Sequence, residues 1–425
     1  MPEATVKKTN TVKKKPVTKR RKRERTIKGD CDYVFLLTVF SLLVIGIIMM
    51  FSASYAWAIS EGKEGSYYAS RQAMFAAGGL VLMYIFSKID YQIYKTPAIA
   101  ISAYIIPLFF LILVLIIGTT DGGAQRWINL GVFQFQPSEL MKIGIVIMYS
   151  YLIERNYDRM NTVKYGILPY MALLGIVAVL LMMQPHLSAT IIISFLCIVL
   201  MFIGGTKIWH MIVVGLVGVA GIVGMVLYKL LVEGYGYFMV RIKVWLDPFS
   251  DIQGDSWQSA QSLIAIGSGG FFGLGLGESR QKYLYLPESK NDFVFSIVCE
   301  ELGFVGALTV ILLFVLLVFR GIYIAKRAQD KFGMLVAVGL TMHIGIQALL
   351  NIAVVSGFIM NTGISLPFFS YGGTALLLQL SEMGIVLNIS RKRYRPEPNK
   401  NKSGKTSSEN NSKGGKPDDY VKMDA

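Results

Sequence analysis

Asp292 stands directly before a long apolar run, in the stretch LPESKNDFVFSIVCEELG at 286–303. A carboxylate at such a boundary is costly to desolvate and marks a candidate functional site. Two readings are open for it. It caps the helix that follows, a position where Asp is favoured, or its charge serves a reaction or a ligand. On a helix starting near Asp292, Ser296 and Cys299 share its face, Glu300 lies to the side about two turns deeper, and Glu301 points the opposite way. That spacing lets Asp292 and Glu300 line one cavity and turns Glu301 toward another helix. Buried acids without partners are expensive, so these imply cations, a wet cavity, or both.

Cations are at hand. Arg126 lies in the polar connection 119–137, and Arg241, Lys243, Arg280 and Lys282 in the long connection 233–291. Lys142 falls one turn inside an apolar run, on the face of Glu139 and Ser138, after a Pro137 suited to a first helical turn. Arg and Lys gathered near a membrane surface suit a phosphate or pyrophosphate. Arg280 and Lys63 read as solvated or headgroup-facing charges, whereas a lysine inside a span needs a reason. Gly267 to Gly277 lacks the preceding strand and the Lys-Ser/Thr pair of a nucleotide loop, and suits close packing or a lid. In SLPFFSYGGT at 365–374, Pro367 and Gly372-Gly373 suggest a break; Ser370 and Tyr371 serve either a ligand or a kink. The three cysteines imply no disulfide framework, and the three histidines have no metal-ligand spacing.

The elements that must position these residues are membrane helices. Hydrophobic residues make up 53% of the 425-residue chain, in blocks long enough to cross a bilayer. The expected fold is an all-α polytopic integral membrane protein with about ten spans: 33–54, 72–89, 97–118, 138–154, 166–184, 187–204, 209–232, 293–319, 333–356 and 369–390. The net charge is +15, and its basic clusters fall in alternate connections. The positive-inside rule then puts both termini in the cytoplasm and makes 233–291 a large external loop between spans seven and eight. The basic arm at 1–30 can lie on anionic lipid. Nucleic acid is excluded as a partner, since no aromatics interleave with the charges. The first apolar block has no cleavage site and reads as an anchor. The arm at 1–30 and the polar tail at 394–425 read as disordered, flanking one membrane domain at 31–393. The absence of an internal repeat weakens an inverted-repeat transporter reading.

Together the segments AQRWINLG (124–131), QPSELMK (136–142), RIKVWLDPF (241–249), QSLIAIGSGG (261–270), LPESKNDFVFSIVCEELG (286–303) and NTGISLPFFSYGGT (361–374) resemble the SEDS family of polytopic membrane proteins. They span nearly the whole membrane domain in the family's order. GLGLGESRQKYLYLPESKNDF resembles the division-type branch more than the elongation type, and a sporulation-type relative would read almost the same. One departure is His186 in QPHLS, where the family usually has Asp.

The resemblance implies a peptidoglycan glycosyltransferase that polymerises lipid II on the outer face of the bacterial cytoplasmic membrane, at the division septum. It also implies a class B penicillin-binding protein and other division proteins as partners. Asp292 matches the family's essential carboxylate; Arg126, Glu139, Lys142 and Glu300 match other polar motif positions. The expected mechanism has Asp292 as general base toward an acceptor sugar hydroxyl, with inversion at the donor's anomeric carbon. Arg126, Lys142, Arg241 or Lys243, with a divalent cation (Mg or Mn) as a further option, would neutralise the leaving pyrophosphate. The rival readings are a lipid flippase and a scaffold that activates a partner enzyme.

Overall fold

Apolar segments that cross a bilayer must satisfy every backbone group internally, and helices do so. The computed structural model describes residues 27–121, 124–129, 131, 134–216, 218, 221, 224 and 237–393. Its main helices are α1 (Tyr33–Ser60), α2 (Tyr67–Lys88), α3 (Pro97–Ile117), α4 (Pro137–Asn156), α5 (Leu168–Met183), α6 (Leu187–Ile203), α7 (Tyr237–Leu246), α8 (Trp257–Ser268), α9 (Val294–Lys326), α10 (Lys331–Val355) and α11 (Gly373–Arg391). Among the described residues seven helices are long and apolar enough to cross a membrane: α1, α2, α3, the Val163–Met183 stretch containing α5, α9, α10 and α11. α6 is apolar but shorter. α4 carries Glu139, Lys142, Glu154 and Arg155, which lower its hydropathy. The protein is therefore a helical multi-pass membrane protein. Nine of the ten expected spans fall on described helices. The tenth, 209–232, lies largely outside the described residues, as do most of the 1–30 arm and the 394–425 tail.

One expectation is corrected. The chain is not all-α, because the 119–137 connection holds a three-stranded antiparallel sheet of β1 (Thr119–Asp121), β2 (Ala124–Asn129) and β3 (Gln134–Phe135). β1 pairs with β2 through Asp121↔Ala124, and β2 with β3 through Ile128↔Phe135. A connection holding TTD, AQRWIN and QF pairs its own backbone groups where no helix can take them up.

Close helix packing uses glycine, as membrane helices do when backbones must approach. A Cβ on Gly144 of α4 would lie 2.0 Å from the Ala103 carbonyl oxygen of α3, and one on Gly384 of α11 would lie 2.5 Å from that of Met83 on α2. α10 and α11 form the most enclosed part of the bundle.

α9 is broken at Gly303, whose φ of 65° is left-handed, a conformation that glycine adopts without a Cβ penalty. The break leaves helical donors and acceptors unmatched, and the 270–275 segment takes them up. Leu274 and Gly275 donate backbone N–H groups to the carbonyls of Glu300 and Glu301, while Phe304 and Val305 donate to those of Gly270 and Phe271. The glycine-rich stretch thus acts through close packing, threaded across the break. Gly273 fits because a Cβ there would lie 2.1 Å from the Glu301 carbonyl oxygen.

At the bundle end remote from Asp292, Lys95 pairs with Glu154 at 2.6 Å and Asp330 at 3.4 Å, and Arg320 with Asp32 at 2.8 Å. These pairs tie α1 to α9, and α4 through Lys95 to the start of α10.

Candidate functional site

The Asp292 corner is assembled from five helices, α6 to α10. α9 starts at Val294, and its N-cap is Phe293, without a side-chain capping bond. Asp292 therefore does not cap the helix. Its position is fixed through its backbone: the Asn351 side-chain amide of α10 donates to the Asp292 carbonyl at 2.7 Å and to that of Ile364 at 2.6 Å. The carboxylate faces Gly363, where a Cβ would come within 3.3 Å of Oδ2 and where φ is 69°. The backbone around Gly363 is held from three sides. Ser188 of α6 donates to the carbonyls of Thr362 and Gly363, Arg241 of α7 to that of Asn361, and the Asn361 amide donates to Gln258 of α8 at 2.9 Å. Beside this corner lies a cavity of about 200 Å³, lined by Arg241, Trp245, Asp255, Gln258 and Asn361 among others.

Electrostatics distinguish Asp292 from an ordinary surface acid. Burial pushes its carboxyl up, Glu288 adds to the rise, and the positive charges of Arg126 and Arg241 oppose it, leaving the group at about 6. A carboxylate near that value is ionised at neutral pH and still basic enough to accept a proton. The cationic residues expected at the site divide accordingly. Arg126, on β2, and Arg241 both act on Asp292; Arg126 also donates to the Pro185 carbonyl at 2.5 Å. Lys243 is exposed on α7.

Lys142 is 2% exposed inside α4. Its ammonium donates to Glu139 at 2.7 Å and to the Gln347 carbonyl oxygen of α10 at 2.9 Å. The expected shared face of Glu139 and Lys142 is present. His186 lies between α5 and α6, its Nε2 3.4 Å from the Gln136 amide nitrogen. Burial first, then Arg126 and Lys142, hold its imidazole down at about 3, so it is neutral.

Glu300, expected to line a cavity with Asp292, turns both its oxygens to the 279–281 connection. Its oxygens accept from the Ser279 hydroxyl at 2.5 Å and from the backbone N–H of Arg280 at 3.0 Å and Gln281 at 3.4 Å. Glu301 pairs with buried Lys282 at 3.1 Å and accepts from Ser52 of α1 at 2.6 Å. These acids anchor the connection before Asp292, because that connection folds back over the break in α9. Ser370 is likewise engaged: its hydroxyl donates to the Asn291 carbonyl at 2.6 Å and accepts from Leu366 N–H at 2.7 Å. That contact ties the start of α11 to the residue before Asp292. The exposed charge expected at Arg280 is present.

A divalent cation finds no ready-made protein cage. Among the described residues no group of three or more His, Cys, Asp or Glu side chains could hold a metal.

Asn351 and Gln347 carry no sequence signal of their own, and His343 was weighed only as a metal ligand. The three recur every four residues along α10, so they form one polar stripe on an otherwise apolar helix. Glu382, fully buried in α11 and 2.8 Å from His343 Nδ1, was passed over. The available signal was a single acid within the apolar run of the last span.

Known proteins share this architecture. A profile of the cell cycle protein family (FtsW, RodA, SpoVE) matches residues 33–395. The chain is 39% identical to stage V sporulation protein E of Bacillus subtilis (strain 168), over 86% of this chain and 98% of that protein. It is 41% identical to a probable peptidoglycan glycosyltransferase FtsW of Trichlorobacter lovleyi, over 85% and 93%. Among solved structures it matches a chain from work on the coordination of polymerization and crosslinking by a peptidoglycan synthase complex, with a TM-score of 0.70, 27% identity and 86% and 99% coverage. It also matches the Thermus thermophilus rod shape determining protein RodA, with a TM-score of 0.62, 26% identity and 86% and 98% coverage. With the match running from the first helix through the last, the chain belongs to the FtsW/RodA/SpoVE family of cell cycle proteins.

Proposed function

We propose that this protein is a peptidoglycan glycosyltransferase that polymerises lipid II into glycan strands during cell division. The observation that carries the reading is the Asp292 corner. One carboxylate is held near 6, within the field of two guanidinium groups, Arg126 and Arg241, and Arg241 and Asn361 of the same corner line a cavity of about 200 Å³. The named relatives point to the same chemistry.

In this mechanism Asp292 takes the proton from the acceptor sugar's 4-hydroxyl. That oxygen forms its bond to the donor's anomeric carbon as the bond to the pyrophosphate oxygen breaks, with inversion. Undecaprenyl pyrophosphate leaves, and Arg126, Arg241 and Lys142 neutralise its charge. General-base assistance of this kind contributes ~10²–10⁴-fold. A divalent cation would travel with the pyrophosphate, since magnesium is commonly bound through substrate phosphates and one or two carboxylates; no step above passes through it.

The Asp292 end faces outward in this reading. Lys88, Lys95, Arg155, Lys207, Arg320, Lys326 and Arg391 all fall at the other end, where positive-inside charge belongs. Both termini are then cytoplasmic and the spans number ten. A class B penicillin-binding protein is the partner, in line with the synthase complex that the fold resembles, and septal localisation in dividing cells follows. The flippase reading is less favoured because relatives that the chain matches are named as probable peptidoglycan glycosyltransferases. The test is to incubate the purified protein with labelled lipid II, with and without the partner, and look for glycan strands. No strands under either condition would overturn the proposal.

A further inference from the structure

Among the buried ionisable groups that the mechanism does not use are His343 and Glu382, respectively 1% and 0% exposed. They belong to one chain of contacts: Glu139, Lys142, Gln347, His343, Glu382, with links of 2.7, 2.9, 3.0 and 2.8 Å. The direction of the bonds up to His343 can be assigned. The Gln347 amide nitrogen donates to the carbonyl and hydroxyl oxygens of Ser365, both at 3.1 Å. A carbonyl only accepts, so the Gln347 nitrogen must face Ser365 and its oxygen must face Lys142 and His343. That oxygen accepts from Lys142, and His343 Nε2 must therefore carry its hydrogen and donate as well. One proton then remains for the contact between His343 Nδ1 and Glu382 Oε2. It sits on either partner, and the pair is neutral overall in both cases.

We infer that His343 and Glu382 are positioning residues for Lys142: Glu382 fixes the ring and tautomer of His343, His343 fixes the Gln347 carbonyl, and Gln347 aims the lysine ammonium at the substrate. The inference rests on the glycosyltransferase reading for what the ammonium meets. Two of its three N–H groups go to Glu139 and Gln347, its hydrogen-bond partners among the described residues, which leaves the third for a phosphate oxygen. The same α10 stripe carries Asn351, one turn nearer the Asp292 end, which sets the Asp292 backbone. One helix face thus registers the base against the cation. A planar group oriented through a second hydrogen bond is the usual means of holding a buried polar side chain in one arrangement.

Glu382 Oε1 has no hydrogen-bond partner among the described residues, and this makes the test sharp. A glutamine there can donate its NH₂ to His343 Nδ1 and leave its carbonyl in the unpartnered place, preserving every other bond. Glu382→Ala leaves the His343 tautomer unfixed. The experiment compares Glu382→Ala and Glu382→Gln in the full chain with its partner, reading three things: the Lys142–Gln347 contact by cryo-electron microscopy, the thermal melt, and kcat and KM for lipid II. The alanine variant should lose the contact and at least ~10-fold in rate, in kcat more than in KM, because charge on the leaving pyrophosphate grows in the transition state. The glutamine variant should regain the contact and most of that rate. Equal impairment of both variants at an unchanged melt would mean that a transferable proton is required, and would overturn the inference. So would an alanine variant that keeps the contact, or a rate loss that only follows the loss of folded protein. The contact is readable even in a chain that makes no glycan, so failure of the network and failure of the glycosyltransferase reading are distinguishable.

Discussion

Two demands meet at Asp292: its side chain must ionise to act as a base, yet its surroundings disfavour the charge. Glycan synthesis should fall away on the acid side with a midpoint near pH 6, set by that carboxyl; a pH–rate profile of polymerisation checks this. The linkage has a definite sign. The folded carboxyl, near 6, lies above its ordinary value of 3.8, so its contribution to stability is present at low pH and lost as pH rises through about 6. Asp292→Asn should therefore abolish polymerisation while stabilising the fold at pH 8 by roughly 1–2 kcal/mol, with little gain at pH 4; thermal melts at the two pH values test it. The candidacy of Asp292 and Lys142 was legible from sequence, because an ionisable group at or inside an apolar run is costly wherever it points. The role of Glu300 was not. A helical wheel places it beside Asp292, but it cannot show that residues 279–281 fold back to occupy both its oxygens.

At the scale of the element, the break in α9 sets where the chain before Asp292 can run. A Cβ on Gly303 would lie 2.2 Å from the Gly273 nitrogen, at a φ of 65°. Gly303→Ala should cost several kcal/mol or prevent folding, seen as a lowered melt or loss of the monodisperse protein in detergent. Lys282 carries the buried counter-charge of Glu301 on the same connection. Removing one member of a buried pair strands the other, so Lys282→Met should destabilise by roughly 3–5 kcal/mol, and adding Glu301→Gln should recover much of that loss. The glycines at 267–277 were readable as a packing segment. Their partner was not, because the pairing with α9 joins residues about thirty positions apart through backbone groups that carry no side-chain signature. The sheet at 119–135 escaped for a related reason: strands of two to six residues leave too little alternation to read.

Across the whole molecule, the spans were the most legible feature, since bilayer thickness fixes helix length and the described helices fall where the apolar runs do. Their orientation rests on charge. In a background lacking Cys31, a cysteine at Lys243 should react with an impermeant reagent in intact spheroplasts, whereas one at Lys326 should react only after permeabilisation; the reverse pattern would invert the topology. The tie between α10 and both reacting ends was less visible, because Asn351, Gln347 and His343 gain meaning only once α4, α11 and the 361–365 segment surround them. The central claim, that Asp292 is the base of a lipid II polymerase, is tested most directly by one comparison. Purified protein and its Asp292→Asn variant, each with the partner penicillin-binding protein, are given labelled lipid II, and glycan strands are measured. The account predicts strands from the first and at least ~10²-fold fewer from the second at an equal or higher melting temperature; strands made by the asparagine variant at the unsubstituted rate would contradict it.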